Sequence, residues 1–309
     1  MVRIICRIKP PKEDNIKIIS ENTIQLSKKS KDLLNNSIVM PYEFKLDKFY
    51  DHDVQTFDIY KNEIEKKLDK DFSLFIYGHS GSGKTYTLFG NNKSRGIFDL
   101  LSEKLEYDYK LEALNLCHDG NFDLFDKDNV KLSIYSDSNN DLFYSCAKKQ
   151  ITIDNFEEVK DNILYSRTNG TSKYNKESSR SHLILKIYSK GKVYTIIDLA
   201  GNERKPIFKN KINELETSFI NSSLLALKEC FRSYGKKYMP YRRSDLTRFL
   251  KDIITSKNNL IVSTIHSGFP YFYDSIDTLN YVSSLLTKIK QKPNFYSRQI
   301  LPKIDYSKM

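Results

Sequence analysis

Residues 72–90, FSLFIYGHSGSGKTYTLFG, constrain the chain more than any other stretch. Gly78, Gly83, Lys84 and Thr85 occupy the fixed places of a phosphate-loop pattern: glycine, four spacers, then Gly-Lys-Ser/Thr. The spacers are His79, Ser80, Gly81 and Ser82, and Tyr86 follows. An apolar run, Phe72 to Tyr77, enters the loop like a buried strand, and Thr85 to Phe89 can begin a helix. Glycines let the backbone turn tightly enough for successive amides to face a phosphate. Lys84 would then hold the β- and γ-phosphates, and the Thr85 hydroxyl would ligate Mg²⁺. Chance produces the four fixed positions in roughly one chain of this length in a hundred. With only 11 glycines in 309 residues, three of them falling between positions 78 and 83 makes chance less adequate still.

The rest of the chain supplies alternating strands and helices. Strands are expected at 2–8, 15–26, 37–47, 110–117, 182–189, 192–198 and 260–265, with broken β-like stretches over 130–153. Helical spacing marks 53–68 (Val54, Phe57, Ile64, Leu68), 96–107, 216–234, 244–255 and 274–290. A further helix is expected from Asp154 to Arg167, with Asp154 as its N-cap. This alternation predicts an α/β sheet flanked by helices on both faces, with no internal repeat and no sustained heptad pattern. No apolar run approaches a membrane span, and Met1 is followed by VRIICRI rather than by a leader-like stretch. Cys6, Cys117, Cys146 and Cys230 are scattered, which suggests reduced thiols in a cytosolic or nuclear protein.

Three further segments match what a phosphate loop needs. NKESSRSH, residues 175–182, is a polar loop dense in hydroxyls. YTIIDLAGNE, residues 194–203, is an apolar strand ending in Asp198, where a phosphate-loop enzyme keeps a carboxylate for its metal. Gly201 can donate its amide to a γ-phosphate. INSSLLALKEC, residues 220–230, is an amphipathic helix shortly after.

In these motifs and their order the chain resembles the kinesin motor domain. GHSGSGKTYT resembles that family's phosphate loop, NKESSRSH its first switch, DLAGNE its second, INSSLLALKEC its relay helix and MPYRRSDLTRFLKD its polymer-binding segment. DSIDTLNYVSSLLTKIK resembles the helix that closes the motor core. The resemblance implies a motor domain over 1–290 with a short extension at 291–309, and a P-loop NTPase fold with a mostly parallel twisted central sheet. It also implies ATP and Mg²⁺. Pro10 and Tyr86 would sandwich adenine near Arg7 and Lys9, while Gly78 to Thr85 hold the phosphates. Thr85 and Ser179 would bind the metal, and Asp198 would act through a water ligand. Arg180 and Glu203 would close the switches around a water positioned by Asn175 and Ser178, and Gly201 would sense the γ-phosphate. His182 reads as structural.

Net charge is +11, which calls for an acidic partner surface. Arg204, Lys205, Lys209 and Lys211 follow the second switch, and Lys236, Lys237, Arg242, Arg243, Arg248 and Lys251 cluster later. The resemblance implies that this face binds tubulin, in a chain that is monomeric as given and located on the cytoskeleton, entering the nucleus during division. The chain departs from the family at Asp245, where a lysine is usual, at Lys9 and in the loop after Glu203. The wording DLAGNER and LLALKECFRSY is similar to the internal-motor, microtubule-depolymerising kinesin-13 class. Two other readings stay open: a non-motile or ATP-inactive microtubule-binding module, and an unrelated P-loop NTPase acting on nucleic acid. The latter lacks the interleaved aromatic and basic residues of an RNA-binding surface.

Overall fold

The computed structural model describes residues 2–11, 13–31, 37–128, 130–136, 142–169, 180–201 and 211–286, with backbone alone at 29–31, 37–39, 168–169, 211–213 and 286. A nine-stranded sheet forms its centre. From one edge the strands run Gly120–Asp123, Tyr109–Cys117, His182–Ser189, Lys192–Asp198, Phe72–Tyr77, Asn259–His266, Arg3–Lys9 and Lys48–Tyr50. Lys149–Ile151 pairs beside Tyr109–Cys117. A smaller antiparallel sheet joins Ile16–Ser20, Thr23–Lys31 and Ser37–Lys45.

The P-loop strand Phe72–Tyr77 is buried at all six positions, as a strand covered on both faces must be. Its residues alternate between two cores. Phe75 and Tyr77 join Ile220, Leu224, Leu227, Leu279 and Val282, which come from helices Lys211–Arg232 and Phe272–Leu286. Leu74 and Ile76 face the other way, onto Leu88, Phe98, Leu101, Phe156, Val159 and Ile163. Helices therefore cover both faces, as the alternation of strands and helices predicts.

The expected mostly parallel sheet is instead mixed. The P-loop strand sits inside the parallel half, between Lys192–Asp198 and Asn259–His266. In the other half His182–Ser189 runs antiparallel to both neighbours, Tyr109–Cys117 and Lys192–Asp198, and it reaches the latter by a direct return. Lys190 at φ 48° and Gly191 at φ 75° make that return, and two positive φ values match the twist of a two-residue hairpin.

Two helices also differ from expectation. The 53–68 run is one α turn, Thr56–Ile59, a wide π turn, Tyr60–Ile64, and a 3₁₀ turn, Glu65–Lys67. Glu63 is thereby buried, accepting from Arg3 Nη2 and Tyr50 Oη at 2.8 Å each. The 244–255 run divides into Asp245–Phe249 and Lys251–Thr255, with Ser244 Oγ accepting from the Thr247 amide at 3.2 Å. The helix expected from Asp154 starts at Phe156, and Asn155 supplies its first accepting carbonyl, to Val159.

Candidate functional site

The loop after Tyr77 has its shape set by sterics. A Cβ on Gly78 would lie 2.4 Å from the Thr264 carbonyl, so no larger residue fits between the two parallel strands. Gly81 and Gly83 have φ of 77° and 103°, the left-handed region that glycine adopts without penalty. Ser82 Oγ donates to the His79 carbonyl at 2.7 Å and lies at the same distance from Thr264 Oγ1. Lys84, buried at the start of helix Lys84–Phe89, donates to the Gly78 and His79 carbonyls at 2.7 and 3.2 Å. Lys9 Nζ reaches across the mouth to the Gly81 carbonyl at 2.8 Å. Thr85 is exposed and Ser80 half-buried. Loop, lysine and Thr85 thus lie together at the end of strand Phe72–Tyr77.

His79 is placed differently from its neighbours. Its imidazole is buried, stacked on Tyr271 at 5.4 Å, with Nε2 3.3 Å from Ser275 Oγ. The side chain faces the closing helix, so only the His79 backbone can face a phosphate. The Ser82 hydroxyl is likewise engaged within the loop.

Tyr86 is half-buried, and the Arg7 guanidinium lies 5.0 Å from its ring centroid. Arg7 donates to Thr56 Oγ1 at 2.8 Å and Thr87 Oγ1 at 3.0 Å, and burial lowers its pKa. The cation supports one ring face. Pro10 is exposed at the end of the strand that carries Arg7.

Asp198 ends the strand beside the loop, in register with Ile76, and its side chain is 1% exposed. One oxygen forms a buried ion pair with Arg167 of helix Phe156–Asn169. The other, Oδ1, is buried with no hydrogen-bond partner among the described residues. A buried carboxylate oxygen is costly to leave unpartnered, and this one fits a water ligand of Mg²⁺. The donor set is suited to a metal carried in by a phosphate group: a glycine cradle, a buried ammonium, and one open carboxylate oxygen.

The sequence pattern places Arg167 at the end of a helix and gives it no site role, although a signal for one is there. Phe156, Val159 and Ile163 form the buried stripe of this helix, and Arg167 continues it at the same spacing. A cation on an apolar stripe implies a buried anion.

Arg180 is buried, with Nη1 3.5 Å from Thr217 Oγ1 on helix Lys211–Arg232, and its Nε has no partner among the described residues. Gly201 is buried. Asn175, Ser178, Ser179 and Glu203 lie outside the described residues, as do Arg204, Lys205 and Lys209; Lys211 has only its backbone described.

The described part of the basic face lies past helix Lys211–Arg232. Lys236, Lys237, Arg242 and Arg243 are exposed. Arg243 is ion-paired with Glu229 of the helix. Lys251 Nζ and the Arg242 guanidinium lie 5.4 and 5.9 Å from the Tyr241 ring. Asp245 accepts from Arg248 at 3.1 Å and from Asn121 Nδ2 at 2.8 Å. The residue that departs from the family pattern therefore anchors this helix to strand Gly120–Asp123.

Among the described residues, no helix is long and apolar enough to cross a membrane. The family model for the kinesin motor domain matches residues 7–287. A kinesin-like protein from Xenopus laevis, KIF22-A, is 27% identical over 327 residues, covering 91% of this chain and 50% of that protein. The chain thus spans about half the length of that curated relative. A solved fast kinesin, described for its ATPase mechanism and interactions with microtubules, aligns with TM-score 0.74 at 21% identity, over 97% of this chain and 96% of that one.

Proposed function

The chain belongs to the kinesin motor domain family, and we propose that it hydrolyses ATP with Mg²⁺ and couples hydrolysis to work on microtubules. One observation carries the reading: the glycine loop and Lys84 lie beside a parallel strand that ends in Asp198, whose buried Oδ1 has no partner among the described residues while Arg167 holds the other oxygen. Loop amides and Lys84 would bind the β- and γ-phosphates, and Thr85 and Ser179 the metal. Held there by Thr85 and Ser179, Mg²⁺ would supply positive charge to offset the charge that develops on the phosphates.

Asp198 would orient a metal-bound water, fixed in direction by Arg167. Tyr86, backed by Arg7, would stack adenine with Pro10, and Lys9 would close the loop mouth. Asn175 and Ser178 would place the attacking water, Arg180 and Glu203 would close over it, and Glu203 would take the proton through a second water. The Gly201 amide would report the γ-phosphate. Such a site works by positioning and charge stabilisation. The basic face would steer the chain onto acidic tubulin. We take 1–290 as the motor unit and 291–309 as an extension, acting on cytoplasmic or spindle microtubules and in the nucleus during division.

The test is ATP turnover with and without microtubules, with polymer mass followed in the same tube. Stimulation with intact filaments supports a translocating or tethering motor. Stimulation by nucleic acid instead would overturn the reading. A tubulin-removing role rests on DLAGNER and LLALKECFRSY alone; the comparisons do not support that subclass, and ATP-dependent loss of stabilised polymer would be needed to revive it.

A further inference from the structure

One buried histidine joins the NKESSRSH and DLAGNE motifs to the helix that follows them. His182 is fully buried at the start of strand His182–Ser189, two residues after Arg180. Its Nδ1 lies 3.0 Å from the Ala200 amide nitrogen, and its Nε2 lies 2.8 Å from Ser223 Oγ. A backbone amide can only donate, so Nδ1 must accept and be unprotonated. The ring proton then sits on Nε2 and is given to Ser223 Oγ. Ser223 in turn donates to the Ile220 carbonyl at 2.9 Å, inside helix Lys211–Arg232. Every proton in this series has one direction. Phe219, on the same helix, packs on the imidazole at 5.6 Å.

We propose that His182 is a positioning residue that transmits displacement of the Asp198–Gly201 segment to helix Lys211–Arg232 through Ser223. The inference rests on the nucleotide-binding reading above. Ala200 immediately precedes Gly201, so movement of the Gly201 amide toward a phosphate carries the Ala200 amide with it. The imidazole is a rigid spacer, and a buried donor cannot exchange its partner for water. The helix must therefore shift with the segment or lose a hydrogen bond. Arg180 Nη1, 3.5 Å from Thr217 Oγ1, makes a further and longer contact from this stretch to the helix.

The experiment is amide hydrogen exchange on the full chain, with and without Mg²⁺ and the non-hydrolysable analogue AMPPNP. Wild type, Ser223→Ala and Ser223→Thr are compared after each is shown to unfold cooperatively. In wild type, AMPPNP should slow exchange in the phosphate loop and change it in residues 214–232. Ser223→Ala should keep the loop protection and lose the change in the helix, and Ser223→Thr should restore it. A helix response that persists in Ser223→Ala overturns the proposal. So does loss of both responses together, which marks Ser223 as merely structural. A wild type protected at the loop but unchanged in the helix overturns the coupling while sparing the nucleotide reading. A wild type unprotected at the loop overturns that reading too.

Discussion

Around the phosphate loop the polar side chains are held by buried partners on the same chain, whereas on the basic face the charges stand in water or pair loosely. Ser82 is fixed between His79 and Thr264, Lys84 by two loop carbonyls, and Asp198 by Arg167. Lys236 and Lys237 are exposed, and Arg243 meets Glu229 at the surface. The first arrangement is geometric: displacing one group leaves another unsatisfied in a dry site. The second is a field, summed over many screened charges, in which no member is decisive. Substitutions in the loop should therefore act steeply and singly, and those on the face weakly and additively.

The largest effect is expected at Lys84. Lys84→Ala should lower ATP turnover by about 10²–10³-fold, the usual consequence of removing one preorganised charge-stabilising donor. Turnover within tenfold of wild type, in a variant whose circular dichroism is unchanged, would erase the contrast between the two regions.

Next comes the Arg167–Asp198 pair. Arg167→Met leaves a buried carboxylate uncompensated and should cost roughly 3–5 kcal/mol of stability. Asp198→Asn added to it should restore much of that loss. Urea unfolding of the two singles and the double measures the coupling; simple additivity would show that the pair is not a unit.

A third difference concerns pH. Burial, and then the Arg167 guanidinium, push the His182 pKa down to about 3. The unfolded chain has a histidine near its usual 6.5 and so binds more protons between those values. Native stability that is full above about pH 6.5 is thus lost as pH falls toward 3, at up to ~1.4 kcal/mol per pH unit. Between pH 7 and 5, wild type should lose about 2 kcal/mol more than His182→Asn. Equal losses in urea melts at the two pH values would place a solvated histidine here.

How much of this could be read from the chain alone follows from where each partner lies. The P-loop strand is legible because its apolar run reports its own burial. The 182–198 hairpin is legible because Lys190 and Gly191 sit between two alternating runs. The orientation of His79 depends on Ser275, 196 residues later, which no local pattern reports. The wide turn at Tyr60–Ile64 likewise serves Glu63, whose partner Arg3 belongs to a strand 60 residues earlier. The balance of parallel and antiparallel ladders is not legible because it depends on His182–Ser189 lying beside Tyr109–Cys117, a pairing between distant parts of the chain that no local pattern reports. On the basic face the sequence supplies the count of charges but not their pairing, which is set by exposed side chains from separate elements.

The smallest effect tests that last point. Asp245 binds Arg248 and Asn121 at once, so it subtracts a charge from the face while holding helix Asp245–Phe249 to the sheet edge. Asp245→Asn keeps a carbonyl oxygen for Asn121 and removes the negative charge that holds Arg248. Arg248 is then released to a solvated state, and the net field gains one unit. Microtubule affinity should rise about two- to fivefold at low salt, corresponding to the ~0.5–1 kcal/mol expected of an exposed charge. The gain should fade as ionic strength rises and the screening length shrinks below the distance to the polymer. Lys236→Ala with Lys237→Ala should move affinity the opposite way by a similar factor per charge. A gain in Asp245→Asn that is independent of salt would mean that the helix has moved, and that this part of the face is governed by geometry, as the phosphate loop is.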